Sequence, residues 1–171
     1  LLSGGLDQTV RLWDIKTGQE IKRFSARNAV RSLAWNREMD GFYVSDGDGF
    51  DPVALRQIKL SGETETGFSY TGKKSSRFLF VPDAGDVGFS APLQKDQSLD
   101  SWNLQTGEKG ISFGTDVVQA AVSANGLQII TADSRGLISL WNPETGAVRQ
   151  QMKVIDDPKI QQVRQLAVSR D

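Results

Sequence analysis

The 171-residue sequence contains no cysteine and no histidine. The first absence excludes disulfides and thiolate chemistry. The second removes Ser-His-Asp and Cys-His nucleophile systems, the usual zinc sites, and the commonest general base near neutral pH. Net charge is almost absent as well. Twenty Lys and Arg against 21 Asp and Glu leave −1, with a pI of 5.5. Nucleic-acid binding draws most of its affinity from a basic surplus, so no nucleic-acid partner is expected. No apolar run approaches the roughly 18 residues of a membrane span. No secretory signal is visible, which leaves location open with the cytoplasm preferred. The opening Leu1-Leu2-Ser3, without Met, reads as the interior of a longer chain.

The residues that remain are ordinary for a folded domain. Hydrophobic residues make up 38%, and 17 glycines bring the apolar share to roughly 48%, a normal globular value. Charged residues make up 24%, so disorder is a poor explanation.

One pattern occurs three times. Trp is followed by Asp or Asn, two variable residues and Thr-Gly at Trp13-Asp14 to Gly18, Trp102-Asn103 to Gly107, and Trp141-Asn142 to Gly146. A fourth copy aligns Val53 with Val10, Leu55 with Leu12 and Ile58-Lys59 with Ile15-Lys16, with Arg56 in the Trp place. The anchors 13, 56, 102 and 141 are then separated by 43, 46 and 39 residues. A second pattern runs out of phase with the first: Val30 to Asn36, Val117 to Ser123 and Val163 to Ser169, with Phe78 to Asp83 a weaker member. Two patterns sharing one period signify a repeat architecture.

Each repeat reads as four short strands. In the fourth they are predicted at Val117 to Ser123, Leu127 to Ala132, Leu137 to Trp141 and Ala147 to Val154, separated by Gly-containing turns. No segment keeps a 3.6-residue apolar period, so little or no helix is expected.

A four-stranded unit of this length, closed by Trp-Asp on its third strand, resembles the WD-repeat β-propeller family. The resemblance implies an all-β fold of four-stranded antiparallel blades, about four of them here, cut from a ring of seven or a similar number. It divides 1–171 into an incomplete first blade (1–24), a second (28–72), a third (75–113), a fourth (116–154) and the first strand of a further blade (161–171). Trp is then expected to fill space between blades, Asp or Asn to end the strand, and Thr-Gly to turn the chain outward. The family also places an Asp six residues before Trp, matched by Asp7 and Asp96 but replaced by Phe50 and Arg135 in the other repeats. Its Gly-His pair is absent, with Ser25-Ala26 in the place before Val30.

The same resemblance implies a non-catalytic scaffold that binds a protein or peptide through loops at one face, without metal or cofactor. Carried onto this chain, the contact positions are Leu6, Arg27, Lys95, Asp116 and Ser134, with Arg135 in the same turn as Ser134. The alternative is a regulatory or substrate-recruiting module of a larger multidomain enzyme or signalling protein. The missing blades would come from a longer chain, or from a second copy if this chain is complete. Propeller enzymes of the quinoprotein type place Trp after Thr-Gly, whereas here Trp comes four residues before Thr.

Other features have plainer explanations. Ser45-Asp-Gly-Asp-Gly-Phe-Asp51 could offer hard oxygens to calcium, but it lacks the full loop spacing and a terminal Glu, and a hairpin turn explains it better. Lys73, Lys74 and Arg77 read as a solvated loop, and Trp35 and Phe80 as blade packing.

Overall fold

The computed structural model describes residues 1–46, 55–62, 64–65, 76–83, 86–92, 98–154 and 163–169. Among these the chain is all β, without helix, and its strands form four antiparallel sheets, a partial β-propeller. The first sheet has three strands, β1 (Leu2–Gly4), β2 (Thr9–Trp13) and β3 (Glu20–Ser25). The second holds β4 (Ser32–Trp35), β5 (Gly41–Ser45), β6 (Leu55–Lys59) and β7 (Thr64–Glu65). The third holds β8 (Ser76–Phe80), β9 (Val87–Pro92), β10 (Leu99–Asn103) and β11 (Lys109–Phe113). The fourth holds β12 (Val117–Val122), β13 (Ile129–Asp133), β14 (Leu137–Trp141) and β15 (Val148–Lys153). Strands are ordered as in the sequence, so every connection within a sheet is a hairpin. The chain divides into two compact units, 1–79 and 80–171.

Residues 163 to 169 belong to no ladder, and their backbone is tied to the fourth sheet by Gln119 Nε2 donating to Arg164 O at 2.6 Å. A strand exists by pairing, and no described strand pairs with this segment.

In the first unit, alternation puts Val10 and Leu12 on one face of β2, with Thr9, Arg11 and Trp13 on the other. The Val10 face joins Phe24, Phe42, Val44 and Ile58 in a buried cluster, with Leu2, Leu33 and Trp35 packed against it. Phe24 meets Phe42 edge to face at 5.1 Å between centroids. Lys22 crosses from β3 to donate to the carbonyls of Leu60 and Ser61 at 2.7 and 3.0 Å. In the second unit Phe113 of β11 takes the place that Phe24 has in β3, three positions from the Trp end of the neighbouring strand, and its ring meets Trp141 at 6.1 Å. The outermost strand of one sheet thus supplies an aromatic ring to the next sheet in both units.

Strand three ends the same way in three sheets. The side-chain oxygen of Asp14 accepts the N–H of Lys16 and Thr17, that of Asn103 the N–H of Gln105 and Thr106, and that of Asn142 the N–H of Glu144 and Thr145. These Asx turns are closed by Gly18, Gly107 and Gly146, whose φ values of 70°, 74° and 70° are left-handed. A bulge falls beside Trp13, Trp102 and Trp141 on the ladder to the outer strand. The extra residue is on the outer strand, Ile21 in β3 and Arg149 in β15, and bends that strand as it leaves the turn.

The turns make two testable distinctions. A Cβ at Gly18 would meet nothing within 4 Å, whereas one at Gly146 would lie 2.7 Å from Ile111 Cγ2. Gly18→Ala should therefore cost about 1–2 kcal/mol, the left-handed penalty alone, and Gly146→Ala clearly more, as read by urea unfolding. The N–H groups of Lys16 and Thr17 hold the Asp14 carboxyl below its ordinary value of 3.8. A depressed folded value stabilises above the unfolded one and is lost as pH falls through the folded one. Asp14→Asn, which copies Asn103 and Asn142, should lie within about 0.5 kcal/mol of the parent at pH 7 and lose less stability on moving from pH 5 to pH 3. Equal acid sensitivity in thermal melts of the two proteins would contradict this.

Candidate functional site

Trp13 Nε1 donates to Ser3 Oγ at 2.7 Å, Trp102 Nε1 to Ser90 Oγ at 3.0 Å, and Trp141 Nε1 to Thr131 Oγ1 at 2.9 Å. The contact is diagonal: Trp141 stands opposite Ile129 and Trp102 opposite Gly88, and the hydroxyl lies two residues along the neighbouring strand. The indole thereby satisfies its one polar group while its rings stay apolar. In the second sheet the Trp place expected for Arg56 falls instead to Ile58, because the ladder sets Ile58 opposite Phe42 as it sets Trp141 opposite Ile129. Arg56 stands opposite Val44, and its Nε and Nη2 reach Asp46. That pair is buried, with side chains 8% and 3% exposed. One of the three carboxylates in the calcium-like stretch is therefore bound to a guanidinium, while residues 47–51 lie outside the described ones. Lys73, Lys74, Lys95 and Asp96 do also; Arg77 lies in β8.

In the first unit, the β1–β2 turn and the β3–β4 connector are joined by Ala26 N donating to Gln8 O at 2.8 Å and Val30 N donating to Gly5 O at 3.0 Å. Leu6 and Arg27 therefore lie at one end of the unit. Leu6 is 78% exposed and Arg27 is exposed. Beside them Asp7 accepts from Thr9 N at 3.2 Å, Thr9 Oγ1 at 2.8 Å and Arg11 Nη2 at 2.6 Å. The Thr9 hydroxyl, with Arg11, holds its carboxyl below 3.8. Without the family's His, this Asp closes its turn on a hydroxyl, a backbone N–H and a guanidinium.

In the second unit Ser134 Oγ donates to Asp116 Oδ2, bringing the β13–β14 turn onto the β11–β12 connector. Asp116 adopts a left-handed φ of 54°, and Asp is among the few side chains that tolerate it. Arg135 stands where the first repeat has Asp7, and it pairs back to Asp133 at 2.9 Å. Asp133 Oδ1 also accepts the N–H of Arg135 and Leu137, each at 2.9 Å. The turn-closing carboxylate has moved two residues upstream in this repeat, from six before Trp to eight. Asp116, Ser134 and Arg135 thus lie together.

The Ser3, Asp46, Ser90, Thr131 set and Asp133 are missing from the sequence-based site. A signal existed for most of them: Ser3, Asp46 and Thr131 each lie ten residues before Trp13, Arg56 and Trp141, and Ser90 lies twelve before Trp102. A cavity of about 390 Å³ borders Ser3, Gly5, Thr9, Arg11 and Trp13 on the face of the first sheet opposite its apolar cluster. No group of His, Cys, Asp or Glu suited to a metal ion occurs among the described residues.

No family model matches the chain. It is 26% identical over 158 residues to WD repeat-containing protein 82 of Drosophila melanogaster, covering 85% of this chain and 47% of that protein. It is 25% identical over 147 residues to autophagy-related protein 16 of Arabidopsis thaliana, covering 82% of this chain and 28% of that protein. The chain spans less than half the length of these relatives. Repeat, fold and likeness agree on WD-repeat β-propeller blades, an architecture suggestive of a protein-interaction scaffold.

Proposed function

We propose that this chain is a WD-repeat scaffold that binds a protein or peptide without catalysis, through the loops joining strands two and three and the connectors between sheets. The observation that carries it is the division of labour between side chains. Polar groups of the clamps and turns are bonded internally, while Leu6 and Arg27 stand exposed on a connected loop end. An exposed apolar side chain beside a guanidinium is the kind of surface on which interface anchors form. In the second unit Asp116, Ser134 and Arg135 form the corresponding cluster, and Lys95 belongs to the same set by its repeat position.

The coverage of less than half of either relative favours a second version of the role, a recognition module within a larger multidomain or signalling protein. Both versions place binding on the same loops, and the full polypeptide distinguishes them.

The test compares the parent with a loop variant, Leu6→Asp with Arg27→Glu and Arg135→Glu, and with a control altered at strand-three turns, Ile15→Asp with Glu144→Lys. Quantitative affinity capture should show specific binders reduced at least about tenfold by the loop variant, the equivalent of roughly 1.4 kcal/mol, and retained by the control. Binders lost only with the control, or unaffected by either, would overturn the proposed location.

A further inference from the structure

The second sheet carries a buried ion pair whose acceptor serves two elements at once. Asp46, with two oxygens, accepts Arg56 and in addition the backbone N–H of Arg27, at 2.7 Å, from the connector that precedes its sheet. That bond links the inside of the sheet to the loop end that carries Leu6 and Arg27.

We propose that Asp46 and Arg56 are a positioning pair for Arg27, holding its backbone while keeping its guanidinium turned outward for a carboxylate of the bound partner. This deepens, and rests on, the scaffold role given above. Electrostatics supply the reason for the ion pair. A buried carboxylate beside Arg27 would draw in the nearest guanidinium. Because Arg56 reaches Asp46 from β6 through two nitrogens, that demand is met from within the sheet, and Arg27 contributes only its N–H. The other described carboxylate at this loop end, Asp7, is held by Thr9 and Arg11. Among the described residues none pairs with the side chain of Arg27, which is exposed. A planar, permanently charged fork of this kind suits a carboxylate-bearing segment. Flanking bonds hold the rest of the connector, at Ala26, Val30 and Arg31, so the Asp46 bond is the tie that fixes Arg27 itself.

The test needs no partner, so its failure is separable from failure of the scaffold role. Amide hydrogen exchange is followed by NMR on the full chain, with urea unfolding alongside. In the parent, the Arg27 amide should exchange at least about tenfold more slowly, after correction for sequence, than that of Leu6, as a bond to a charged acceptor requires. Exchange at the Leu6 rate would overturn the tie without any variant having to fold. The double substitution Asp46→Leu with Arg56→Met removes both buried charges together, leaving neither unpaired. It should recover most of the urea midpoint lost by either single substitution, yet bring Arg27 exchange up to the Leu6 rate. Retained protection at Arg27 in that variant, or a midpoint no higher than that of the worse single variant, would contradict the proposal.

Discussion

In three sheets a diagonal bond from the strand ended by Trp13, Trp102 or Trp141 to the strand before it is the constraint on which the rest depends. It locks the register of two strands at their least supported point, just before the chain leaves the ladder. The outer strand carries an extra residue there in three sheets, and an Asx turn closes around Asp14, Asn103 and Asn142. Strand pairing would otherwise tolerate slippage in sheets so short, since a five-residue strand has few cross-strand pairs with which to specify alignment. An indole does this with one polar atom and a large apolar body, so the same residue serves the clamp and, at Trp141, packing against Phe113 of the neighbouring sheet.

The second sheet has no indole on this rung, where Ile58 faces Phe42 as Trp141 faces Ile129. Two residues earlier on β6, Arg56 faces Val44 and makes its own diagonal bond to Asp46. A buried pair of opposite charges is costly to desolvate and becomes favourable only when its hydrogen bonds are satisfied. Asp46 meets that condition by also accepting the amide of Arg27. Local connections, all hairpins within a sheet, make the blade a unit that can absorb such a replacement without altering its neighbours.

Much of this was legible before any coordinates. Gly18, Gly107 and Gly146 announce their turns because a left-handed residue after Asp or Asn has a composition of its own, and the matching Trp residues mark the strands before them. Arg56 aligns with Trp because its flanking residues keep the pattern, but the ladder gives that rung to Ile58, two residues on. The acceptor of Arg56 could not be identified with equal ease: diagonal pairing depends on register, and Asp46 sits in an acidic, Gly-rich stretch that invites a metal-site interpretation. Asp133 was missed because the expected carboxylate was sought six residues before Trp, whereas a longer side-chain loop back to Arg135 and Leu137 works equally well from eight. Sequence similarity at Val163 to Ser169 was real, but a strand is a property of a pair, and the pattern carries no information about whether a partner is present. For the loop residues the limit is of another kind, because exposed side chains such as Leu6 and Arg27 answer to no internal packing that a sequence pattern could register.

The most direct measurement is a nitrogen–proton NMR spectrum of the four indole groups, recorded for the parent and for Thr131→Val. The clamp requires the Trp141 indole proton to be hydrogen-bonded, so losing the Thr131 hydroxyl should shift that resonance upfield and speed its exchange, leaving Trp13 and Trp102 unchanged. A spectrum in which the Trp141 indole signal is indifferent to Thr131 would contradict the account at its root.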